Sequence, residues 1–364
     1  MTPTPGTYVT LAVFSLTLAA TFAAALLARR HASLHDHNEL TSRTLNKWLL
    51  GLSAGATANS GFVVTGAVGL GYVQGLQWIM LPLSWLLGDL IFWKWFPSRI
   101  NNYGRSCRAR TLPEMLTNDL PRNSTLRPLI GIASAILILI CLTGYATAQW
   151  IAGQKFLAGA FGWSGSAALA GFSLSIVAYS TIGGFRGSIY TDVLQAGIRI
   201  VGTSVALAIV VVVALEDSVA FRSNIAAAGP DFLNLLPGGT LLASIAFIGG
   251  FAAAAVGFGL GQPQIITRYL AGSTPAETQS AIWIYNGFVQ FTWIAMTLFG
   301  TLLRGVMPQV SDPESGLSEF FMKNVNPLLA GIIIADVFAT IAATANALLR
   351  LDGASCGVST SSAS

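Results

Sequence analysis

The chain has 364 residues, 53% of them hydrophobic and only 9% charged, with a formal net charge of +4. Soluble domains carry about 25% charged residues, so this chain cannot cover a soluble surface and reads as a polytopic protein of the lipid bilayer. The positive charge lies at the ends of apolar runs rather than in one patch, which argues against a nucleic-acid partner.

Residues 7–28 form a continuous apolar run of spanning length. The run has no basic segment before it and is too long for a signal-peptide core, so it is read as retained. The polar loop 29–47 holds the three histidines, His31, His35 and His37. Their spacing looks like a metal cluster, but no periodic structure fixes it. The second span, about 48–71, contains LSAGATANSGFVVTGAVGL, in which Gly55, Gly61, Gly66 and Gly69 alternate with polar Thr57, Asn59, Ser60 and Thr65. Glycine weakens a helix by roughly 0.5–1 kcal/mol relative to alanine. One reading is a broken helix whose freed backbone groups meet an ion or a solute; the other is a small-residue face for close helix packing.

A third span covers 74–96, with Trp78, Trp85, Trp93 and Trp95 as expected interfacial anchors. In the polar stretch 97–127, Thr111 followed by Leu112, Pro113 and Glu114 predicts a short capped surface helix. Further spans are expected at 128–152, at 164–182 (closed by Gly183 and Gly184), at 190–215, 240–260, 275–305 and 326–349. The three cysteines, Cys107, Cys141 and Cys356, have no metal spacing and suggest no disulfide framework. If the N-terminus is outside and the nine spans alternate, 15 Lys and Arg residues fall on the inner side and 4 on the outer. This bias predicts nine transmembrane helices with the N-terminus out and the C-terminus in. Residues 351–364 have neither helical period nor spanning length, and are expected to be a non-helical tail or the product of truncation or a frame shift.

Acids at membrane depth are functional candidates by default. Asp336 shares a helix face with Thr340 and Thr344, at i+4 and i+8. Such a stripe offers two or three oxygens to a hard cation, and freed carbonyls near Ala56 and Asn59 could supply the rest; alternatively the threonines bond back to their own helix. Asp192 opens the sixth span, either as a site residue or as a helix N-terminal acid. Asp89, close to Lys94 and Arg99, is expected to form a structural ion pair. Tyr145, Thr147 and Gln149 lie in the fourth span, and Gln262 and Gln264 flank Pro263 at the end of the seventh. Pro263 and the glycines before it break that helix as well. The two interrupted helices are then five spans apart, the separation of two inverted five-helix repeats. No HExxH, GxSxG, P-loop or CxxC occurs, so an enzyme is not expected.

These pieces, taken together, resemble the sodium/solute symporter family, and its sodium/proline symporters especially. The matching segments are LSAGATANSGF, Thr111–Glu114, GGFRG at 183–187 followed by Thr191, Asp192 and Gln195, GQP at 261–263 with Arg268, and the helix from Asp336 to Thr344. They lie in family order across residues 45–350. The resemblance implies an all-α, leucine-transporter-type inverted-repeat fold. Residues 1–350 would be the transmembrane symporter domain, with 7–28 an extra N-terminal helix and 48–349 core helices one to eight. Core helices nine and ten are absent from this chain, hence the suspicion of truncation. The implied sodium site has carbonyl ligands at Ala56, Asn59 and Asp336 and side-chain ligands at positions 339 and 340, here Ala339 and Thr340. Asp192 matches an acid implicated in a second sodium site. The implied solute site takes in Ser60, Gly61, Tyr145, Gln149, Ala255 and Gly259.

Three departures bear on this expectation. Position 58 is alanine where the proline symporters carry an aspartate, and Ala339 stands where a hydroxyl is expected; Asp336 adds a carboxylate. Sodium coupling and proton coupling through Asp336 both stay open. The aromatic pair of the proline pocket falls at Ala255 and Gly259, which argues against proline as the solute. The expected function is a secondary active symporter of a bacterial inner membrane, coupling sodium or proton entry to uptake of a small polar organic solute, with no cofactor. A transporter-like membrane sensor and an inactive symporter fragment are the alternatives. The sequence says nothing of the oligomeric state.

Overall fold

The computed structural model describes residues 5–30, 43–121 and 123–357. His31, His35 and His37 lie outside the described residues. The described chain is helical: α1 (Pro5–Arg30), α2 (Lys47–Ala58), α3 (Gly66–Gln74), α4 (Met80–Trp95), α5 (Pro97–Ser106), α6 (Leu112–Thr117), α7 (Leu126–Phe161), α8 (Gly165–Glu216), α9 (Ser218–Ala227), α10 (Leu241–Gly261), α11 (Pro263–Ala271), α12 (Pro275–Ser280), α13 (Ile282–Val306), α14 (Gly316–Asn324) and α15 (Pro327–Gly357).

Among the described residues, seven helical stretches are long and apolar enough to cross a membrane. One crossing takes about 20 residues, so two of the seven are too long for a single pass. The 52-residue α8 breaks at Gly184, whose φ of 61° and ψ of −166° lie outside the helical region. Glycine reaches that conformation without the Cβ clash other residues suffer, so α8 is two crossings folded back at the predicted Gly183–Gly184 boundary. Gly61–Ser106, 46 residues, joins the second half of the interrupted second span to α4 and the surface helix α5. With α2 as the first half of that span, the described residues contain the nine crossings expected.

The interruption itself is short. Asn59 (φ −80°, ψ 91°) ends α2 and Ser60 (φ −78°, ψ 177°) is extended, with the Ser60 hydroxyl accepting from the Phe62 N–H at 3.3 Å. A single 3-10 turn, Gly61–Val63, leads into α3. At the second interruption α10 stops at Gly261, Gln262 is extended (φ −105°, ψ 95°), and Pro263 starts α11. Proline has no N–H to give to the helix before it, which favours the end of α10 at the extended Gln262.

The small residues of the second span also serve close packing. A Cβ on Gly71 would overlap the Thr297 carbonyl, and one on Gly300 the Val68 carbonyl, so α3 and α13 approach backbone to backbone. The stretch is thus broken at 58–61 and closely packed along α3. Beyond α3 the loop between α9 and α10 returns to the same place. The Leu76 N–H donates to the Phe232 carbonyl at 2.8 Å, against Gly75.

Several local expectations are corrected. Trp93 is buried between Tyr269 and Tyr285, with ring centroids 5.2 and 5.1 Å away, and Trp85 packs against Phe258 and Trp293 at 5.4 and 5.5 Å. These two are core residues, not interfacial anchors, because α4 is covered on that side by α10, α11 and α13. Asp89 does not pair with Lys94 or Arg99, whose head groups lie over the Trp95 ring at 5.6 and 5.3 Å. Its carboxylate is buried, with Tyr269 and Tyr285 as electrostatic neighbours. The surface helix α6 forms as predicted, the Thr111 hydroxyl accepting from the Glu114 N–H at 3.4 Å. At the other end α15 continues to Gly357, so residues 351–357 are helical rather than the expected non-helical tail. Extending a formed helix by a turn fixes few new dihedrals.

Candidate functional site

The first break lies against the middle of α15. Asp336, Thr340 and Thr344 are all buried on the α15 face, at 0%, 1% and 0% exposure. Thr344 does not bond back to its own helix. Its hydroxyl lies 3.1 Å from the Thr57 carbonyl and 3.2 Å from the Asn59 carbonyl, the two oxygens that the end of α2 frees. The Asn59 side-chain amide donates to Thr292 Oγ1 on α13 at 2.8 Å. Asn59 is thus held from both sides, by α15 through its backbone and by α13 through its side chain. Ala56 and Ala339 are buried beside them and can offer only backbone oxygens.

The Asp336 side chain packs against α8. Its carboxyl lies in a notch at Gly202 of α8, where any Cβ would overlap it, and accepts from the Thr203 hydroxyl at 3.3 Å. One turn before Gly202, Arg199 Nη1 donates to the Asn59 carbonyl at 3.3 Å. Arg199 is 2% exposed and interacts electrostatically with Asp336. The Thr340 hydroxyl interacts with the Asp336 carboxyl, and Arg199 Nε and Nη2 are buried without a hydrogen-bond partner among the described residues. Buried polar atoms are rarely left so, which makes this pocket of charge a candidate site.

Asp192 is in a different setting. Its Oδ2 accepts from the Ser53 hydroxyl at 2.6 Å and from Arg268 Nη2 at 2.9 Å, in an ion pair whose side chains are 0% and 2% exposed. Arg268 also donates through Nε to Ser53 at 3.1 Å and through Nη1 to the Gln264 carbonyl at 2.6 Å. The structure therefore separates Asp192 from Asp336: the first ties α8 to α2 and α11, and only the second shares a pocket with the break.

The two interruptions open onto one cavity of about 400 Å³. Ala58, Asn59 and Ser60 line it from the first break, and Gly261, Gln262 and Pro263 from the second. Aromatic walls are supplied by Trp85, Tyr145, Tyr285 and Trp293. A neighbouring cavity of about 430 Å³ shares Ser60, Phe62 and Tyr145 with it and extends past Gly61 and Gln149 to Lys155, Asp312 and Glu314. Gln149 Oε1 accepts the Gly61 N–H at 3.0 Å between the two. Of the expected solute residues, Ser60, Gly61, Tyr145 and Gln149 are thus brought together. Ala255 and Gly259 are not. They face α4, where a Cβ on Gly88 would meet Ala255 and one on Gly259 would meet Phe92. The α10 residues lining the cavity are instead Phe251, Phe258 and Gly261. The argument against proline drawn from positions 255 and 259 falls with this correction.

A model of the sodium:solute symporter family matches residues 39–358. The chain belongs to the sodium:solute symporter family. Among its relatives in the family are a sodium/proline symporter of Haemophilus influenzae, 28% identical over 87% of this chain, and one of Escherichia coli, 26% identical over 87%. The osmoregulated proline transporter OpuE of Bacillus subtilis is 26% identical over 83% of the chain. The chain spans 64%, 63% and 61% of these relatives' own lengths. A solved substrate-bound, outward-open structure of a sodium-coupled sialic acid symporter superposes with a TM-score of 0.79, covering 94% of this chain and 72% of that one at 17% identity. That likeness establishes the fold, the leucine-transporter type expected from the two interrupted helices.

Sequence reasoning missed Arg199, which it took only as one of the 15 inner-side basic residues. A charge inside the sixth span was itself the available signal. Gly202 and Thr203, the notch and the hydrogen bond that orient Asp336, carried no signal in sequence. The Lys and Arg bias of this sodium:solute symporter family member is preserved when the buried Arg199 and Arg268 are left out of it.

Proposed function

We propose that this chain forms the transport core of a cation-coupled secondary symporter that takes up a small polar organic solute by alternating access. The observation that carries the reading is the meeting of both interrupted helices at one aromatic-walled cavity. In inverted-repeat transporters, discontinuous helices present unwound backbone to solute and ion at the repeat interface. Here the solute would lie against Ser60, Gly61, Tyr145 and Gln149, with Trp293 and Gln262 added. The coupling ion is sodium, as the relatives' names favour, held by carbonyls of Ala56, Asn59 and Asp336 and by the Thr340 hydroxyl. At ~100 mV each coupled charge supplies about 2.3 kcal/mol toward uptake. Asp192, committed to Arg268, is proposed as a brace for the first half-helix rather than a ligand of this ion.

The test is uptake of radiolabelled amino acids and organic acids by proteoliposomes under an imposed inward sodium gradient. Accumulation that collapses with the gradient and is lost in Asp336→Asn is the expected result. Accumulation indifferent to sodium and abolished by a protonophore would replace sodium by the proton, and accumulation of none of the solutes under either gradient would remove the symporter reading.

A further inference from the structure

We propose that Arg199 is a tethered cation that competes with sodium for the site between α2 and α15. The inference rests on the sodium reading given above and adds to it a residue that sets how tightly the ion is held. Three observations on the described residues converge. First, Arg199 Nη1 already donates to the Asn59 carbonyl at 3.3 Å, one of the oxygens a sodium ion would need. Second, its guanidinium is held there by more than that bond: it lies 5.6 Å over the Phe288 ring and within the field of Asp336, the side chain itself being 2% exposed. A cation over an aromatic face is attracted by the ring, more strongly when desolvated. Third, Arg199 Nε and Nη2 lack a hydrogen-bond partner among the described residues, while the Thr203 and Thr340 hydroxyls interact with the Asp336 carboxyl of α15. The same pocket thus holds unused donors on the arginine beside the Asp336 carboxyl.

Charge decides how these groups share the pocket. The carboxylates buried near the break are Asp192 and Asp336, and Asp192 is matched by Arg268 at 2.9 Å. Position 58 is alanine, so α2 adds no acid. Arg199 and Asp336 therefore form a neutral set by themselves. A sodium ion added to that set would leave one uncompensated buried charge, which is strongly disfavoured. A sodium ion that takes the place of the guanidinium at Asn59 and Asp336 restores neutrality. Arginine stays charged at any physiological pH, so the competition cannot be relieved by losing a proton. It is relieved only by moving the side chain, and the flexible stem of Arg199 on α8 is the part free to do so. Sodium binding would then release α8 from the break while joining α2 to α15.

Equilibrium binding of radioactive sodium to the purified, detergent-solubilised full chain tests the proposal without knowledge of the solute. Arg199→Met keeps the length and removes the charge. It is expected to bind sodium about ten-fold or more tightly than the unaltered protein, the ratio that corresponds to one lost charge-assisted hydrogen bond. Arg199→Gln, which retains a polar head group, is expected to shift affinity in the same direction by less, and serves if Arg199→Met does not fold. Equal or weaker sodium binding in a folded variant overturns the proposal and leaves the sodium reading intact. Sodium binding that appears only in the variants supports the competitor and removes sodium coupling from the unaltered protein. Binding in neither overturns both.

Discussion

The Thr344 hydroxyl lies 3.2 Å from the Asn59 carbonyl and 3.1 Å from that of Thr57, so a single side chain of α15 holds both oxygens freed where α2 ends. The contact spans 285 residues of sequence and fixes the height at which α15 meets the break. Thr344→Val keeps the shape and removes the donor. It is expected to lower stability by about 0.5–1.5 kcal/mol, the net worth of one such hydrogen bond, read as a reduced unfolding midpoint in detergent. Thr344→Ser should restore most of the loss. An unchanged midpoint in Thr344→Val would show that the contact contributes nothing to holding the break.

The Asp192–Arg268 pair should behave as a structural brace. Removing one partner of a buried pair leaves an uncompensated charge and costs about 3–5 kcal/mol. Arg268→Met is therefore expected to be severely destabilised, with Asp192→Asn less so because the Ser53 hydrogen bond survives. The double variant should recover a large part of the loss. Sodium binding by folded Asp192→Asn should remain close to that of the unaltered protein. Its abolition with stability intact would instead make Asp192 an ion ligand.

Gly202 and Gly197 offer a matched pair on one helix. A Cβ at 202 would overlap Asp336, whereas one at 197 meets nothing within 4 Å. Gly202→Ala is expected to destabilise by about 1–3 kcal/mol through overpacking and to weaken sodium binding by displacing Asp336. Gly197→Ala should be neutral or stabilising, by up to about 1 kcal/mol from helix propensity alone. Comparable effects at the two sites would refute the notch.

Sidedness can be read with single cysteines. Ser315 is exposed and lines the cavity that runs to Lys155 and Glu314, and Ser280 is exposed beside Lys47 and Lys94. The Lys and Arg bias puts the first outside and the second inside. In intact cells a membrane-impermeant maleimide should label Ser315→Cys at once and Ser280→Cys only after permeabilisation. The reverse pattern would invert the topology.

The architecture was legible because its signals are local. Glycine and proline mark the breaks at 58–61, 183–184 and 261–263, and hydropathy marks the crossings between them. The composition of the site was only half legible. Helical spacing predicted correctly that Asp336, Thr340 and Thr344 share a face, but spacing cannot say which neighbour that face meets. Asp336 turned toward α8 because glycine at 202 leaves room there, and Ala255 and Gly259 turned toward α4 because Gly88 and Phe92 receive them. Both outcomes depend on side-chain volumes on helices far apart in sequence. Arg199 and Arg268 entered the charge count simply as inner-side residues, because such a count cannot tell an exposed arginine from one buried against Asp336 or Asp192 on another helix.

The bond between Leu76 and Phe232 ties the end of α3 to the segment that leads into α10, and so joins the trailing half of one interrupted helix to the approach of the other. The two half-repeats are therefore mechanically in series. A rotation of α3 about the break at Asn59 would have to break that 2.8 Å bond or move the 229–239 connection with it. The two breaks are thus joined by a backbone contact that runs outside the cavity between them.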